Sequence, residues 1–224
     1  MIRLSTLQMA EISLAAMHNS RRLLDDAAAL ARAQRLPSAL MVAGLAADEL
    51  GKHILVSSFF SREGTDDDWK RFWRRFRDHT EKLGDALMSS WVGDLLTDDP
   101  PPSAKAFHQK RLAATYVDLD DDGAVRTPVS AVSQEDFDSA FESIDRELQY
   151  CERILGNAKP EQLSVTFDSL RAKAVDGLAP FVESLSAEAK MALVIGMRTG
   201  MPQDEAMELA RAMDSVFARG DQEK

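Results

Sequence analysis

His79 lies within Arg74-Arg-Phe-Arg-Asp-His-Thr-Glu-Lys82, a run in which one imidazole is bracketed by cations. On a helix Arg75 falls one turn before it and Lys82 nearly one turn after, so these cations could depress its proton affinity or share an anionic ligand with it. A histidine at the edge of an apolar face is as readily a satisfied, partly buried side chain. Its company is what points to acid-base work. A second grouping interrupts the most apolar stretch of the chain, residues 39 to 60, where Asp48, Glu49, Lys52 and His53 stand among Ala, Leu, Ile and Val. At about 100° per residue, Met41, Leu45, Asp48, Lys52, Leu55 and Phe59 share one stripe. An acid and a base one turn apart, flanked by core-type side chains, should neutralise each other and orient a neighbour, because burying an unpaired ion costs several kcal/mol. A third grouping, Lys105, His108, Lys110 and Arg111, precedes Thr115-Tyr116-Val-Asp118. The two basic clusters could face one groove, or each could be a solvated face.

Other chemistries lack residues to support them. There is no glycine-rich nucleotide loop, no serine or cysteine triad arrangement and no histidine-rich metal spacing, so neither a metal nor a cofactor is expected. Cys151 is the single cysteine, which rules out an internal disulfide framework or a thiolate zinc site. Asp118, Asp120, Asp122 and Gly123 match the opening of a calcium loop, but Val129 occupies the position where a bidentate Glu is needed, with Pro128 beside it, so the segment reads as an acidic turn. A formal charge of -10 argues against indiscriminate nucleic-acid binding over the whole surface, yet it leaves room for local basic patches. No leader-like start and no apolar run of bilayer length appears, so a soluble, cytoplasmic chain without membrane contact is expected.

The elements that must position these groups read as helices throughout. Apolar positions Leu7, Leu14, Met17, Leu24, Ala28 and Ala31 predict one long amphipathic helix from about Ser5 to Arg35. Pro37 interrupts it, Ser38 could cap the apolar helix that follows to near Phe60, and the two should pair as an antiparallel hairpin. Thr65-Asp-Asp-Asp is a strong start signal. From there one continuous helix is predicted, with Trp69, Phe72, Trp73, Phe76, Leu83, Leu87 and Trp91 inward and Lys70, Arg71, Arg74, Arg75, Arg77 and Lys82 around the remainder. Asp98, Asp99 and the prolines at 100 to 102 end it, and a further helix begins near Ser103. Residues 126 to 130 could be a short extended piece, and no convincing strand is evident. Ser133 starts a helix with the stripe Phe137, Phe141, Ile144, Leu148, Cys151 and Leu155, closed by Gly156. Further helices are expected at roughly 160 to 175, 180 to 185, 187 to 199 and 203 to 218.

Four motifs in order, Asn19-Ser-Arg-Arg-Leu-Leu-Asp-Asp26, Asp48-Glu-Leu-Gly-Lys52, Phe76-Arg-Asp-His79 with Lys82, and Lys110-Arg-Leu-Ala-Ala-Thr-Tyr-Val-Asp118, resemble the AbiV family of abortive-infection proteins over roughly residues 15 to 155. The resemblance implies an all-α fold: a HEPN-like antiparallel helical bundle over residues 1 to 156, with a helical extension at 157 to 224 packed on it or used in dimerisation. Active members of the HEPN superfamily are homodimeric, metal-independent ribonucleases whose signature is an arginine, four to six residues and a histidine, a spacing met here by Arg74 and His79. The resemblance carries over His79 with Arg74, and Asp48 or Glu49 with Lys52 as an orienting set; taken with the basic clusters it gives an expected catalytic set of His79, Arg74 or Arg75, and Lys82, and a surface of Arg71, His108, Lys110, Arg111 and Tyr116 for RNA, or for a phage or host protein in a non-catalytic effector. Geometry adds a condition: on an unbroken helix Arg74 and His79 point about 140° apart, so the helix must be distorted or the arginine must serve the other protomer.

Overall fold

The computed structural model describes residues 2–59, 64–87, 102–119 and 122–173, together with helical positions at 207, 208 and 211. Among these, the chain is a helical bundle with one small hairpin. α1 (Thr6–Arg32) opens on a capping box in which Ser5 and Gln8 satisfy each other's backbone amides. It ends where Gln34 takes φ 59°, a left-handed turn that lets Arg35 N–H reach back to Leu30 O. α2 (Leu36–Ser58) follows at once. Pro37 lies in its first turn, where the missing N–H removes no helical bond. Ser38 is therefore inside the helix, and the expected serine cap is corrected to Arg35, whose side chain makes no capping bond.

α1 and α2 pack as the expected antiparallel pair. Small residues make the contact close: Ala39, Ala43, Ala46 and Ala47 of α2 are fully buried against Met9, Met17 and Leu24 of α1. Ser20 Oγ donates to Ala46 O at 2.8 Å, so even the polar side chain in this seam is satisfied. The expected stripe is rotated, however. Leu45 is 40% exposed and Met41 half-exposed, because α2 turns its alanine rows, not those larger side chains, towards α1.

Around this hairpin the other helices dock on one core. α3 (Asp66–Arg77) has a Thr65/Asp68 capping box and three acids in its first turn, as its sequence predicts. Trp69 and Phe72 bury against Phe59 with ring centroids 4.5 and 5.1 Å away. The helix does not continue: Asp78 takes φ −85°, ψ 121°, and α4 (His79–Leu87) starts afresh. α5 (Pro102–Ala113) precedes β1 (Asp118–Leu119) and β2 (Val125–Arg126), an antiparallel pair with Asp118 opposite Arg126. That pair corrects the expectation of no strand, and Gly123 at φ 82° makes its turn. α6 (Pro128–Ala131) leads to α7 (Gln134–Leu155), where Ser133 and Asp136 form the cap and Phe137, Ile144, Leu148 and Cys151 are buried. Arg21 fastens α1 to α7 with a fork on Glu152, at 2.8 and 2.9 Å, and a bond to Asp145 at 2.7 Å. α8 (Pro160–Lys173) packs on α1 and places Leu163 and Phe167 in the same core. The side chain of Leu87, Trp91, the turn expected at 98 to 101, Asp120 and the helices expected beyond residue 175 lie outside the described residues, apart from helical positions 207, 208 and 211.

One histidine belongs to this core and not to a site. His53 Nδ1–H donates to Ser13 O at 3.0 Å, with Ser13 Oγ at 2.9 Å. Burial pushes its pKa from 6.5 down to about 4, against the Ser13 hydrogen bond and aided by His18. The folded chain keeps this ring neutral where the unfolded chain protonates it, so its contribution is complete above pH 6.5 and is lost as pH falls towards 4. Urea unfolding at pH 7 and pH 5 should show a loss about 2 kcal/mol larger in the natural chain than in His53→Asn, which cannot titrate.

Candidate functional site

Three helices bring the acidic and basic groups together, and small residues of α2 make the approach possible. Gly44, Asp48 and Gly51 lie at one-turn intervals. A methyl group at Gly44 would overlap Arg111 Cδ of α5, and one at Gly51 would overlap the Lys82 carbonyl oxygen of α4. Both positions need glycine because another element lies directly on the helix. Between them, Asp48 is only 3% exposed.

Asp48 Oδ2 is the meeting point. Arg111 Nη1 donates to it at 2.7 Å, and His79 Nδ1 is 2.8 Å away. Arg111 Nη1 also lies 3.5 Å from Gly44 O, and its Nη2 is 3.2 Å from His108 Nδ1. The result is a continuous chain of polar contacts from His79 through Asp48 and Arg111 to His108, with the two charged members nearly buried and the His79 side chain 57% exposed. Asp48 Oδ1 has no hydrogen-bond partner, and the buried Lys82 acts on the carboxylate as a nearby positive charge. Burial lowers the Lys82 pKa, with Asp48 pulling the other way and Lys52 reinforcing the drop. The His108 pKa is lowered by burial first, then by the charges of Arg111 and His79.

The helix break is what aims His79. Asp78 Oδ1 accepts from the amides of Thr80 and Glu81 at 2.8 and 3.0 Å, capping α4 at the residue before the imidazole. The distortion required for Arg74 and His79 to converge is therefore present, but the arginines go elsewhere. Arg75 Nε lies 3.1 Å and Arg74 Nε 3.5 Å from the two oxygens of Glu81. Burial pushes the Glu81 carboxyl up, opposed by both arginines.

Several expected partners are corrected by these contacts. Lys52 pairs with Glu49 and not with Asp48, since both of those side chains lie at the partly exposed edge of α2 while Asp48 points under α5. The Lys52 ammonium also lies 5.9 Å from the Phe76 ring centre. Lys110 turns away to Asp136 of α7 at 3.0 Å and to Ala131 O at 3.4 Å, so of the α5 cluster only His108 and Arg111 join His79. Arg111, expected at a surface, is 9% exposed and forms the interior of the site. Tyr116 is 63% exposed beyond the end of α5, outside the chain of contacts, and Arg71 is an exposed residue of α3. Gly44 and Glu81 were not singled out by sequence, and Gly51 and Asp78 entered only as members of the quoted motifs, without a role. Asp78-His-Thr-Glu81 does carry a signal, an acid three residues before a Glu, which is a helix start within an apparently unbroken pattern. Among the described residues no three His, Cys, Asp or Glu side chains come together as a metal-ligand set.

The AbiV family model matches residues 8–148. The chain belongs to the AbiV family. This places it in the HEPN superfamily, whose all-α architecture agrees with the bundle, and AbiV membership suggests a role in abortive-infection defence. No curated protein and no solved structure matches the chain. The AbiV match spans α1 to most of α7 and contains all members of the Asp48 site. Among the described residues no helix is long and apolar enough to cross a membrane.

Removing one member of a buried ion pair leaves its partner desolvated and uncompensated. Asp48→Ala should therefore destabilise this AbiV protein by about 3–5 kcal/mol in urea unfolding. Gly51→Ala, which pushes α4 off α2, should cost about 1–3 kcal/mol and weaken the His79–Asp48 contact, seen as a changed His79 resonance in NMR spectra.

Proposed function

We propose that this AbiV-family chain is an abortive-infection effector that cleaves RNA by acid-base chemistry, with His79 taking the proton of a ribose 2′-hydroxyl. The observation that carries this reading is the 2.8 Å contact between His79 Nδ1 and Asp48 Oδ2, which engages one ring nitrogen in the interior and leaves the other side of an exposed imidazole available. Asp48 is itself held by Arg111, so the imidazole has a fixed orientation, as a general base requires.

In the step, the 2′-oxygen attacks the adjacent phosphorus as its proton passes to His79, the bond from phosphorus to the 5′-oxygen breaks, and the departing oxygen takes a proton from water. The products are a 2′,3′-cyclic phosphate and a 5′-hydroxyl, and His79 returns its proton to solvent. Positive charge near the pentacovalent phosphate comes from Arg74, whose side chain is exposed, with the buried Lys82 and the enclosed Arg75 adding to the field from behind. No step calls on a metal ion. Resemblance to active HEPN members supports a homodimer as the working form.

A second reading has its own observation. Arg74 and Arg75 are both engaged by Glu81, which suits a non-catalytic effector that binds a phage or host protein through the same basic face. The two separate cleanly. Purified protein incubated with total RNA should produce fragments, and His79→Ala should reduce the rate on the order of 100-fold or more. Equal cleavage by both, or none by either, removes the catalytic reading. Growth arrest that survives His79→Ala together with capture of a protein partner supports the second.

A further inference from the structure

We propose that His79 and His108 act as an opposed pair of imidazoles on one phosphodiester, His79 presenting a bare Nε2 to the 2′-hydroxyl and His108 presenting an Nε2–H to a non-bridging phosphate oxygen. This rests on the RNA-cleavage reading and adds to it a second substrate-facing ring with a defined tautomer. The assignment follows from hydrogen-bond polarity. A carboxylate can only accept, so His79 Nδ1, 2.8 Å from Asp48 Oδ2, carries a proton, and in the neutral ring that a general base requires, Nε2 keeps the lone pair. A guanidinium can only donate, so His108 Nδ1, 3.2 Å from Arg111 Nη2, carries the lone pair, and the single proton of the neutral ring lies on Nε2.

One ion pair thereby dictates two opposite tautomers, one at each of its ends. Because the two nitrogens of an imidazole diverge, tying both Nδ1 atoms to the interior pair turns both Nε2 atoms away from it. His108 stays neutral, as the assignment needs: burial, Arg111 and His79 all disfavour its protonation, with Asp48 and Asp78 in opposition. The two rings stand at the ends of one short chain of contacts, 2.8, 2.7 and 3.2 Å in turn, and the charge His79 gains when it takes a proton acts on His108.

The chemistry fits a phosphodiester undergoing internal attack. The 2′-hydroxyl must lose a proton to a bare nitrogen while negative charge grows on the non-bridging oxygens, which an N–H donor stabilises without giving up its proton. A matched pair of bases or a matched pair of donors would serve only half of that requirement. The proton balance is the one given above: His79 takes the 2′ proton, water gives a proton to the departing 5′-oxygen, and His108 keeps its own.

Long-range proton–nitrogen NMR spectra of the imidazoles, recorded on the full chain, test the assignment without relying on activity. They should show an Nδ1–H ring for His79 and an Nε2–H ring for His108, and a single-stranded oligonucleotide with 2′-O-methyl groups throughout, which cannot be cut, should move the Nε2 signals of both. An Nδ1–H pattern for His108, or an oligonucleotide that leaves its signals in place, overturns the proposal. In cleavage assays His108→Ala should lose on the order of 100-fold, while His108→Gln, whose amide N–H reaches towards the same point, should stay within about tenfold of the natural chain. Cleavage by the natural chain that His108→Ala leaves unchanged sinks the His108 assignment and spares the cleavage reading. Expected tautomers and oligonucleotide shifts without any cleavage sink the cleavage reading and leave the pair standing as a phosphate-binding site.

Discussion

One carboxylate oxygen ties three helices together. Asp48 Oδ2 accepts from Arg111 of α5 and faces His79 of α4, so the positions of both helices on α2 are read out at a single atom. Taking a carboxylate and a guanidinium out of water costs several kcal/mol each, and their attraction returns that only when geometry is good. The apolar contacts of the α1–α2 seam and the aromatic group of Phe59, Trp69 and Phe72 therefore supply the stability of this part of the bundle. The ion pair selects among ways of arranging it. A shift of α5 by one helical turn would leave a buried charge at each end without its partner.

That constraint explains the composition of α2. Arg111 can reach Asp48 only by lying across Gly44, and α4 can bring His79 to the same carboxylate only by pressing its backbone on Gly51. Glycine in a helix interior costs about 1 kcal/mol relative to alanine. Two such residues, placed one turn to either side of the carboxylate, indicate that close approach outweighs helix propensity along this face. The break at Asp78 follows the same logic: it gives up helical continuity and recovers the loss through side-chain bonds to two amides.

The helices announced by caps were legible in the sequence, as Thr65 with Asp68 and Ser133 with Asp136 show, because a capping box is a local signal and its hydrogen bonds form within four residues. His79, Asp48, His108 and Arg111 were legible as candidates from residue type and company. Their partners were not. Periodicity placed Lys52 beside Asp48, whereas the true partner, Arg111, is 63 residues away and its selection depends on how α5 docks. The division of α3 from α4 was hidden because Trp69, Phe72, Phe76 and Leu83 keep helical spacing across the break. Lys110 and Arg111 are adjacent, yet one faces α7 and the other α2, a separation of about 100° that a count of basic residues cannot express.

The engagement of both signature-region arginines by Glu81 does not place them equally out of reach. Arg75 is almost enclosed, with 12% of its side chain exposed and its Nε 3.1 Å from the carboxylate, while Arg74 is 59% exposed and 3.5 Å away. An exposed ion pair of that kind is worth roughly 0–1 kcal/mol, so Arg74 can exchange Glu81 for a phosphate at little cost. Glu81 does not become an uncompensated buried charge when this happens, because Arg75 stays with it. The doubled arginine thus divides two tasks that one residue could not perform together: Arg75 neutralises the acid that follows the break, and Arg74 keeps an exposed guanidinium whose contact with Glu81 is cheap to give up.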